Sequence, residues 1–181
     1  KKYHKKQIHV GFPKYNKYTK NNLKVCNTSN KINIFIFGGS QGSVPLINKF
    51  ILMLKNLNLK TVSKIKIIIQ AQKKMHIELI NIFENLNLDF EIKEFFNNIQ
   101  EILPSTDLAI TRAGAGTVND LINFNIPSMI IPLPHSMNNH QYYNAKFLSE
   151  KKASVLIEEN DFNINTSSNI LKELINNENK R

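Results

Sequence analysis

The chain has 181 residues, of which 41% are hydrophobic, and 24 Lys and Arg against 14 Asp and Glu give a net charge of +10. This composition supports one domain with a core and excludes an intrinsically disordered protein. The single cysteine, Cys26, excludes an internal disulfide and a multi-cysteine metal site. No apolar run approaches the roughly 18 residues of a transmembrane helix, and the basic N-terminus lacks a secretion signal, so we expect a cytoplasmic protein.

The charge is unevenly distributed along the sequence. Residues 1–77 contain 16 Lys and no acidic residue, whereas residues 78–181 contain all 14 acidic residues and 8 basic ones. A basic half is typical of proteins with an anionic partner: nucleic acid, a phosphorylated ligand or an acidic membrane surface. However, Lys, Asn and Ile are abundant throughout, as in the products of AT-rich genomes. Because Arg-rich or aromatic-interleaved tracts are missing, we expect no nucleic-acid partner.

Hydrophobic periodicity predicts an α/β fold. Residues 1–30 are polar and predicted to be a linker or entry segment, and residues 31–181 the folded domain. Strands are predicted at 32–37, 65–69, 90–95, 107–110, 128–131 and 155–157, and helices through 46–54, 77–86, 118–122, 138–148 and 170–175. This alternation predicts a Rossmann-like, doubly wound parallel sheet, which binds ligands beyond the carboxyl ends of its strands. Three unusual loops follow strands, so we expect all three at that edge.

The first of these loops is glycine-rich and reads Gly38-Gly39-Ser40-Gln41-Gly42-Ser43. Its glycines let the backbone approach a ligand, and the start of the following helix offers free N–H groups to a phosphate. A Walker A loop is excluded because the loop contains no Lys. A dinucleotide fingerprint is excluded because the glycine spacing differs and the next acid is Glu78. A tight turn without a ligand remains the simplest alternative.

The same loop also matches the nucleophile elbow of α/β-hydrolases, with Ser40 as the nucleophile. A candidate acid (Asp107 or Asp120) and a candidate histidine (His135 or His140) follow in the expected order. Against this interpretation, only a polar segment precedes the first strand, and no His-Gly-Gly oxyanion loop lies upstream. A serine hydrolase is therefore kept as an alternative function.

The second and third loops carry the remaining candidate residues. In the second, at 111–120, Thr117 is predicted to be a helix N-cap. Asp120 either completes a capping box with it or accepts hydrogen bonds from both hydroxyls of a ribose. In the third, Pro-rich residues 130–135 are followed by an amide-rich helix start at 138–144 that suits sugar hydroxyls. His135 and His140 lack a third ligand at sensible spacing, so no metal site is expected.

Taken together, these loops resemble one family. Gly38-Gly39-Ser40-Gln41-Gly42, Arg112-Ala113-Gly114-Ala115-Gly116-Thr117, and Pro132-Leu133-Pro134 with His140-Gln141 and Asn144-Ala145 are similar to the C-terminal half of the MurG-type peptidoglycan N-acetylglucosaminyltransferases. The resemblance extends from about Gly11 to Ile157. It implies the donor-binding half of a GT-B glycosyltransferase. Such an enzyme transfers GlcNAc from UDP-GlcNAc to lipid I with inversion, giving lipid II in peptidoglycan synthesis, without a cofactor.

The resemblance also implies roles for particular residues. Ser40 and its turn would face the diphosphate, Ala115 to Asn119 would line the phosphates and sugar, and Asp120 would hold the ribose diol. Phe96 would bind uracil through its backbone, and Gln141 would contact the GlcNAc hydroxyls with support from His140 and Asn144. The complete implied set is Gly39, Ser40, Gln41, Gly42, Phe95, Phe96, Arg112, Gly114, Ala115, Gly116, Thr117, Val118, Asn119, Asp120, His140, Gln141, Asn144, Lys14 and Tyr15.

The chain departs from the family pattern in three ways. Asp120 replaces the usual Glu, and Gly11-Phe12-Pro13-Lys14-Tyr15 replaces a Gly-Asn-Pro-x-Arg segment, so that Lys14 is the remaining charge there. We expect the acceptor-binding N-terminal domain to lie outside this chain, so that the chain is a fragment or one part of a split enzyme and is inactive alone.

The resemblance further implies partners and a location. Lipid I would bind through the missing domain, and the protein would lie peripherally on the anionic, cytoplasmic face of the plasma membrane. Besides the hydrolase, the alternatives are a GT-B enzyme for another UDP-sugar and a non-catalytic basic binding module.

Overall fold

The computed structural model describes residues 31–39 and 42–181. The strands are β1 (Ile32–Phe37), β2 (Ile65–Gln70), β3 (Asp89–Lys93), β4 (Leu108–Thr111), β5 (Ser128–Ile130) and β6 (Ser154–Leu156). The helices are α1 (Val44–Lys55), α2 (Leu59–Val62), α3 (His76–Asn85), α4 (Ile99–Ile102), α5 (Ala115–Asn123), α6 (His140–Glu150) and α7 (Ile164–Asn176). The six predicted strands are confirmed, each end within two residues. The short helices α2 and α4 were not predicted, and α7 begins six residues before the predicted 170.

The six strands form one parallel sheet in the order β3-β2-β1-β4-β5-β6. The order reverses direction between β1 and β4, which pair directly, with Ile36 opposite Ile110 and Phe37 opposite Thr111. This arrangement confirms the predicted doubly wound α/β fold. In such sheets the loops after the two central strands diverge toward opposite faces and leave a crevice for a ligand between them.

Two hydrophobic clusters cover the two faces of the sheet. Alternate β1 side chains face opposite ways, so that Ile34 and Ile36 join one cluster and Phe35 and Phe37 the other. The first cluster contains buried residues of α1, α3 and α7, and the second contains those of α5 and α6. Both faces of the sheet are thus buried from solvent, which explains the nearly continuous apolar sequence of the central strands.

Three helices end in the same way at the amino edge of the sheet. Asn87, Asn125 and Lys152 have positive φ angles of 50°, 51° and 57°. At each site the next residue's N–H donates to the carbonyl five residues back, as from Leu88 to Phe83 at 3.0 Å. The left-handed residue donates three residues back, which together is the Schellman motif. These ends reverse the chain into β3, β5 and β6 without a glycine.

The predicted linker at 1–30 lies outside the described residues, together with Lys14, Tyr15, Ser40 and Gln41. Among the helices of residues 31–39 and 42–181, none combines the length and apolar character needed to cross a bilayer.

Candidate functional site

The turn after β1 is built on two glycines with different tasks. A Cβ on Gly38 would overlap the Ser43 side chain and lie 2.8 Å from the Ser43 nitrogen, so the chain can fold back on itself only without a side chain there. Gly42 has a φ of +67°, and a Cβ on it would lie 3.5 Å from the Gln70 carbonyl oxygen at the end of β2. The Gly42 N–H donates to the Gly39 carbonyl at 3.0 Å and closes the turn. The turn thus leads directly into α1.

Arg112, the first residue after β4, connects this turn with two other loops. Its guanidinium donates through Nε (3.3 Å) and Nη2 (3.2 Å) to the Ser43 hydroxyl. Nη1 donates to the carbonyl oxygens of Ile131 (3.0 Å) and Pro132 (2.9 Å) after β5, and to Glu159 Oε2 at 2.6 Å. Arg112 is only 4% exposed. Most of its donors are therefore used to hold protein loops in place.

The segment after Arg112 forms the start of α5. Gly114 is the N-cap, with extended dihedrals, and the Val118 N–H donates to its carbonyl at 3.0 Å. The predicted N-cap at Thr117 is therefore wrong, because Ala115 to Thr117 already have helical geometry, and the capping box with Asp120 is wrong for the same reason. Ala115 and Gly116 are exposed at the helix start, and Thr117, Val118 and Asn119 are half-buried.

Asp120 and Phe96 lie on the same side of the sheet. Asp120 is in the second turn of α5 and 8% exposed, and its neighbour Leu121 belongs to the same hydrophobic cluster as Phe96. The Phe96 ring packs edge-on against Phe35, with ring centres 5.5 Å apart. Its side chain is thereby used in the core, while Phe95 is 55% exposed beside a cavity of about 380 Å³. Both residues follow β3, which ends earlier than predicted, at Lys93.

Two amide side chains at the start of α6, which follows the third loop, form hydrogen bonds to the second loop. Gln141 Oε1 accepts from the backbone N–H groups of Ala113 (3.2 Å) and Leu133 (3.0 Å), and Asn144 Nδ2 donates to the Ala113 carbonyl (3.0 Å). The Gln141 Nε2 donors have no hydrogen-bond partner among the described residues. His140 is exposed, and its Nδ1 donates to the Met137 carbonyl at 2.8 Å. Gln141 and Asn144 thus both contact the Ala113 backbone, and their predicted contacts with GlcNAc stay predictions.

These contacts bring the three loops together around one cavity. It has a volume of about 310 Å³ at the carboxyl edge of the sheet and is lined by Gly38, Gly39, Gly42, Ser43, Arg112, Leu133 and Gln141. The predicted convergence of the loops is confirmed. Sequence reasoning missed Ser43 and Glu159; Ser43 directly follows the glycine turn, but Glu159 carries no local signal because its role depends on a residue 47 positions away.

Two other features of the structure do not form comparable sites. A larger cavity of about 470 Å³ lies near the amino edge, between α5 and α6, and its lining is mostly apolar, as at Ile126 and Leu148. Among residues 31–39 and 42–181, no group of three His, Cys, Asp or Glu side chains is arranged to bind a metal ion.

The hydrolase interpretation meets a geometric obstacle. Asp107 Oδ2 accepts from the Asn33 N–H at 2.9 Å, at the amino end of β1. The turn that contains Ser40 begins at the other end of that strand, roughly 16 Å away at about 3.3 Å per residue. Asp107 is therefore too far from the turn to serve as the acid of a triad.

Comparisons with known proteins agree with this architecture. Residues 33–181 match the family described as glycosyltransferase family 28 C-terminal domain. A curated UDP-N-acetylglucosamine--N-acetylmuramyl-(pentapeptide) pyrophosphoryl-undecaprenol N-acetylglucosamine transferase from Rickettsia felis is 40% identical over 154 residues, covering 82% of this chain and 41% of that protein. The namesake from Rickettsia bellii is 39% identical over 150 residues, covering 80% and 41%.

Among solved structures, MurG of Acinetobacter baumannii is similar to this chain in fold, with a TM-score of 0.74 at 24% identity, covering 85% of this chain and 46% of that one. The chain thus spans about two fifths of the length of the curated relatives it matches. Since the family match includes nearly all of the described residues, the chain belongs to glycosyltransferase family 28, in the region of the family's C-terminal domain.

Proposed function

We propose that this domain, residues 31–181, binds UDP-GlcNAc and supplies the donor half of an inverting glycosyltransferase that converts lipid I to lipid II. One observation carries the proposal: Arg112 and Gln141 join the loops after β1, β4 and β5 around a single cavity at the reversal point of the sheet. Nucleotide ligands bind at this place in doubly wound sheets. The names of the Rickettsia relatives support the choice of donor and acceptor.

The donor is proposed to lie across the cavity with its diphosphate between the glycine turn and the start of α5. Ser40, Gln41 and Gly42 belong to the turn, and the exposed Ala115 and Gly116 begin the helix. Free N–H groups and the positive end of the helix dipole attract an anion at such a position. Gly39, Gly114 and the segment from Thr117 to Asn119 complete the phosphate side.

The faces of the sheet support a proposed orientation for the two ends of the donor. Uridine is proposed to lie toward the Phe96 backbone and Phe95, with its ribose diol on the Asp120 carboxylate, because Asp120 and Phe96 lie on the same side. The GlcNAc is proposed to lie toward Gln141, whose oxygen holds the loops while its Nε2 donors remain for the sugar hydroxyls. Arg112 acts mainly by fixing these loops.

In the proposed reaction, the C4 hydroxyl of the lipid I sugar attacks the anomeric carbon of GlcNAc. The new glycosidic bond forms as the bond to the diphosphate oxygen breaks, the hydroxyl proton passes to a base on the acceptor-binding domain, and UDP leaves. Negative charge grows on the diphosphate, so donors fixed around it stabilise the transition state more than the ground state. No cofactor is required by this scheme.

Lipid I is proposed to bind a second Rossmann-like domain across the cleft, at the cytoplasmic face of the plasma membrane. Basic residues add roughly 1 kcal/mol each to attraction toward anionic lipid when they lie near the surface. Co-sedimentation with vesicles of phosphatidylglycerol and of phosphatidylcholine tests this part, and equal recovery with both would contradict it.

Isothermal titration of the chain with UDP-GlcNAc, UDP-glucose and GDP tests the donor assignment. We expect weak but saturable binding of UDP-GlcNAc, weaker binding of UDP-glucose and none of GDP. Absence of heat and of a thermal shift at millimolar UDP-GlcNAc would overturn the proposal. Labelling of Ser40 by a fluorophosphonate would favour the hydrolase, and salt-sensitive binding of nucleic acid without UDP binding would favour the basic module.

A further inference from the structure

The Ser43 hydroxyl has an unusual arrangement for a residue at its position. Ser43 is the N-cap of α1, where a serine side chain normally accepts a hydrogen bond from the second or third N–H of the helix. It makes no such bond, and the second helical residue, Pro45, has no N–H to donate. The hydroxyl oxygen accepts from Arg112 Nε and Nη2 instead, at 3.3 and 3.2 Å.

Arg112 holds this hydroxyl in one orientation. Its guanidinium is fixed from the other side by the carbonyl oxygens of Ile131 and Pro132 and by Glu159. A hydroxyl has two acceptor positions and one proton to donate. With both acceptor positions facing Arg112, the O–H bond of Ser43 must point away from the guanidinium.

Ser43 also lines the cavity of about 310 Å³ beside the glycine turn, so this cavity offers space for an acceptor of the Ser43 proton. Within residues 31–39 and 42–181, the Ser43 hydroxyl accepts from Arg112 and donates to no other group. A hydroxyl fixed as a donor selects for a ligand that only accepts, and phosphate oxygens have this property. Because Glu159 neutralises the charge of Arg112, the ligand meets an oriented dipole here rather than an unpaired cation.

We propose that the Ser43 hydroxyl donates a hydrogen bond to the diphosphate of the donor, and that Arg112 is the positioning residue that fixes its direction. This inference rests on the proposed function, since it presumes a nucleoside diphosphate in the cavity. Ser43 follows the Gly39-Ser40-Gln41-Gly42 segment. As the N-cap of α1, it adds a side-chain contact to the diphosphate.

The test compares Ser43→Ala with Ser63→Ala for binding of UDP and of uridine, by calorimetry and NMR titration. Ser63 is an exposed serine after α2, whose hydroxyl bonds only the nearby Lys60 carbonyl among described residues. Loss of a hydrogen bond to a charged group predicts about tenfold weaker UDP binding by Ser43→Ala. Uridine binding should stay unchanged, and Ser63→Ala should match the wild type for both ligands.

Three results would overturn the inference in distinguishable ways. Equal UDP affinity of Ser43→Ala and wild type refutes the contact while leaving the proposed function intact. Equal losses for UDP and uridine show that the serine supports the whole loop and not the diphosphate. Absence of UDP binding by the wild-type chain refutes the proposed function and this inference with it.

The positioning role of Arg112 has its own test. A single ammonium cannot occupy both acceptor positions of the hydroxyl, so Arg112→Lys should weaken UDP binding several-fold and spare uridine. In the double variant with Ser43→Ala, the UDP affinity should equal that of Ser43→Ala alone. Additive losses would show that Arg112 affects UDP binding independently of Ser43, directly or through the loop after β5, and would overturn its role in positioning the hydroxyl.

Discussion

Arg112 Nη1 and Glu159 Oε2 form a largely buried ion pair at 2.6 Å, which joins the loop after β4 to the segment after β6. The Glu159 side chain is 18% exposed and also lies 3.9 Å from Lys49 Nζ on α1. A buried pair of this kind is weak evidence of stability in itself, but removing one partner leaves an uncompensated charge. Through the other hydrogen bonds of Arg112, the pair is linked to the loops after β1 and β5 as well.

Replacing Glu159 by Ala should lower the free energy of unfolding by about 3 kcal/mol, because the buried guanidinium loses its counter-ion. Urea denaturation followed by circular dichroism measures this difference. Glu158→Ala is the matched control, since Glu158 is exposed and should change stability by less than about 0.5 kcal/mol. Similar midpoints for the two variants would show that the ion pair contributes little.

Substituting Gly38 by Ala should destabilise the chain by about 1–3 kcal/mol and weaken UDP binding, because the new Cβ overlaps Ser43 and forces the turn to move. Gly116→Ala is the comparison variant, and only its effect on stability is compared with that of Gly38→Ala. A Cβ there meets nothing within 4 Å, and alanine in a helix gains roughly 0.5–1 kcal/mol over glycine. Thermal unfolding of both variants should therefore give shifts of opposite sign.

If Asp120 binds the ribose, the preference for a ligand with both ribose hydroxyls should depend on this residue. Wild-type chain should bind UDP about tenfold more tightly than 2′-deoxy-UDP, since one carboxylate accepts from both hydroxyls. Asp120→Ala should lose this discrimination, and Asp161→Ala, at an exposed acid elsewhere, should retain it. A preserved preference for UDP in Asp120→Ala would remove Asp120 from the ribose site.

Changing Gln141 to Glu should separate the two tasks of this side chain, which are to hold the loops and to bind the sugar. A carboxylate still accepts from the Ala113 and Leu133 N–H groups, so the melting temperature should change little. It cannot donate, so UDP-GlcNAc binding should weaken several-fold more than UDP binding. Calorimetry with both ligands gives this ratio, and an unchanged ratio would show that the side chain serves only the loops.

The sheet and its site edge could be predicted from sequence because local signals determine them. The runs at Ile32–Phe37 and Ile65–Gln70 are rich in Ile and Phe, and glycines follow the first directly. In a parallel sheet, loops that follow strands must share an edge, so the meeting of the three loops followed from the predicted alternation.

What could not be predicted depends on contacts between distant residues. Thr117 has the chemistry of an N-cap, but the chain turns one residue after Ala113, and Gly114 takes that position. The motif that contains Arg112 predicts that this residue lies near the donor, but it does not reveal the partners Ser43 and Glu159, which lie 69 and 47 positions away. No local pattern reveals which charged side chain will be buried and used internally.

The glycine-free Schellman ends at Asn87, Asn125 and Lys152 have a practical consequence. All three residues are exposed and remote from the ligand edge, and each maintains a left-handed backbone that costs an L-residue about 1–2 kcal/mol, least for asparagine. Lys152→Gly should therefore raise the melting temperature by a few degrees, the usual shift for about 1 kcal/mol in a chain of this size. A triple glycine variant would offer a more heat-tolerant background in which weakened site variants can still be purified and titrated.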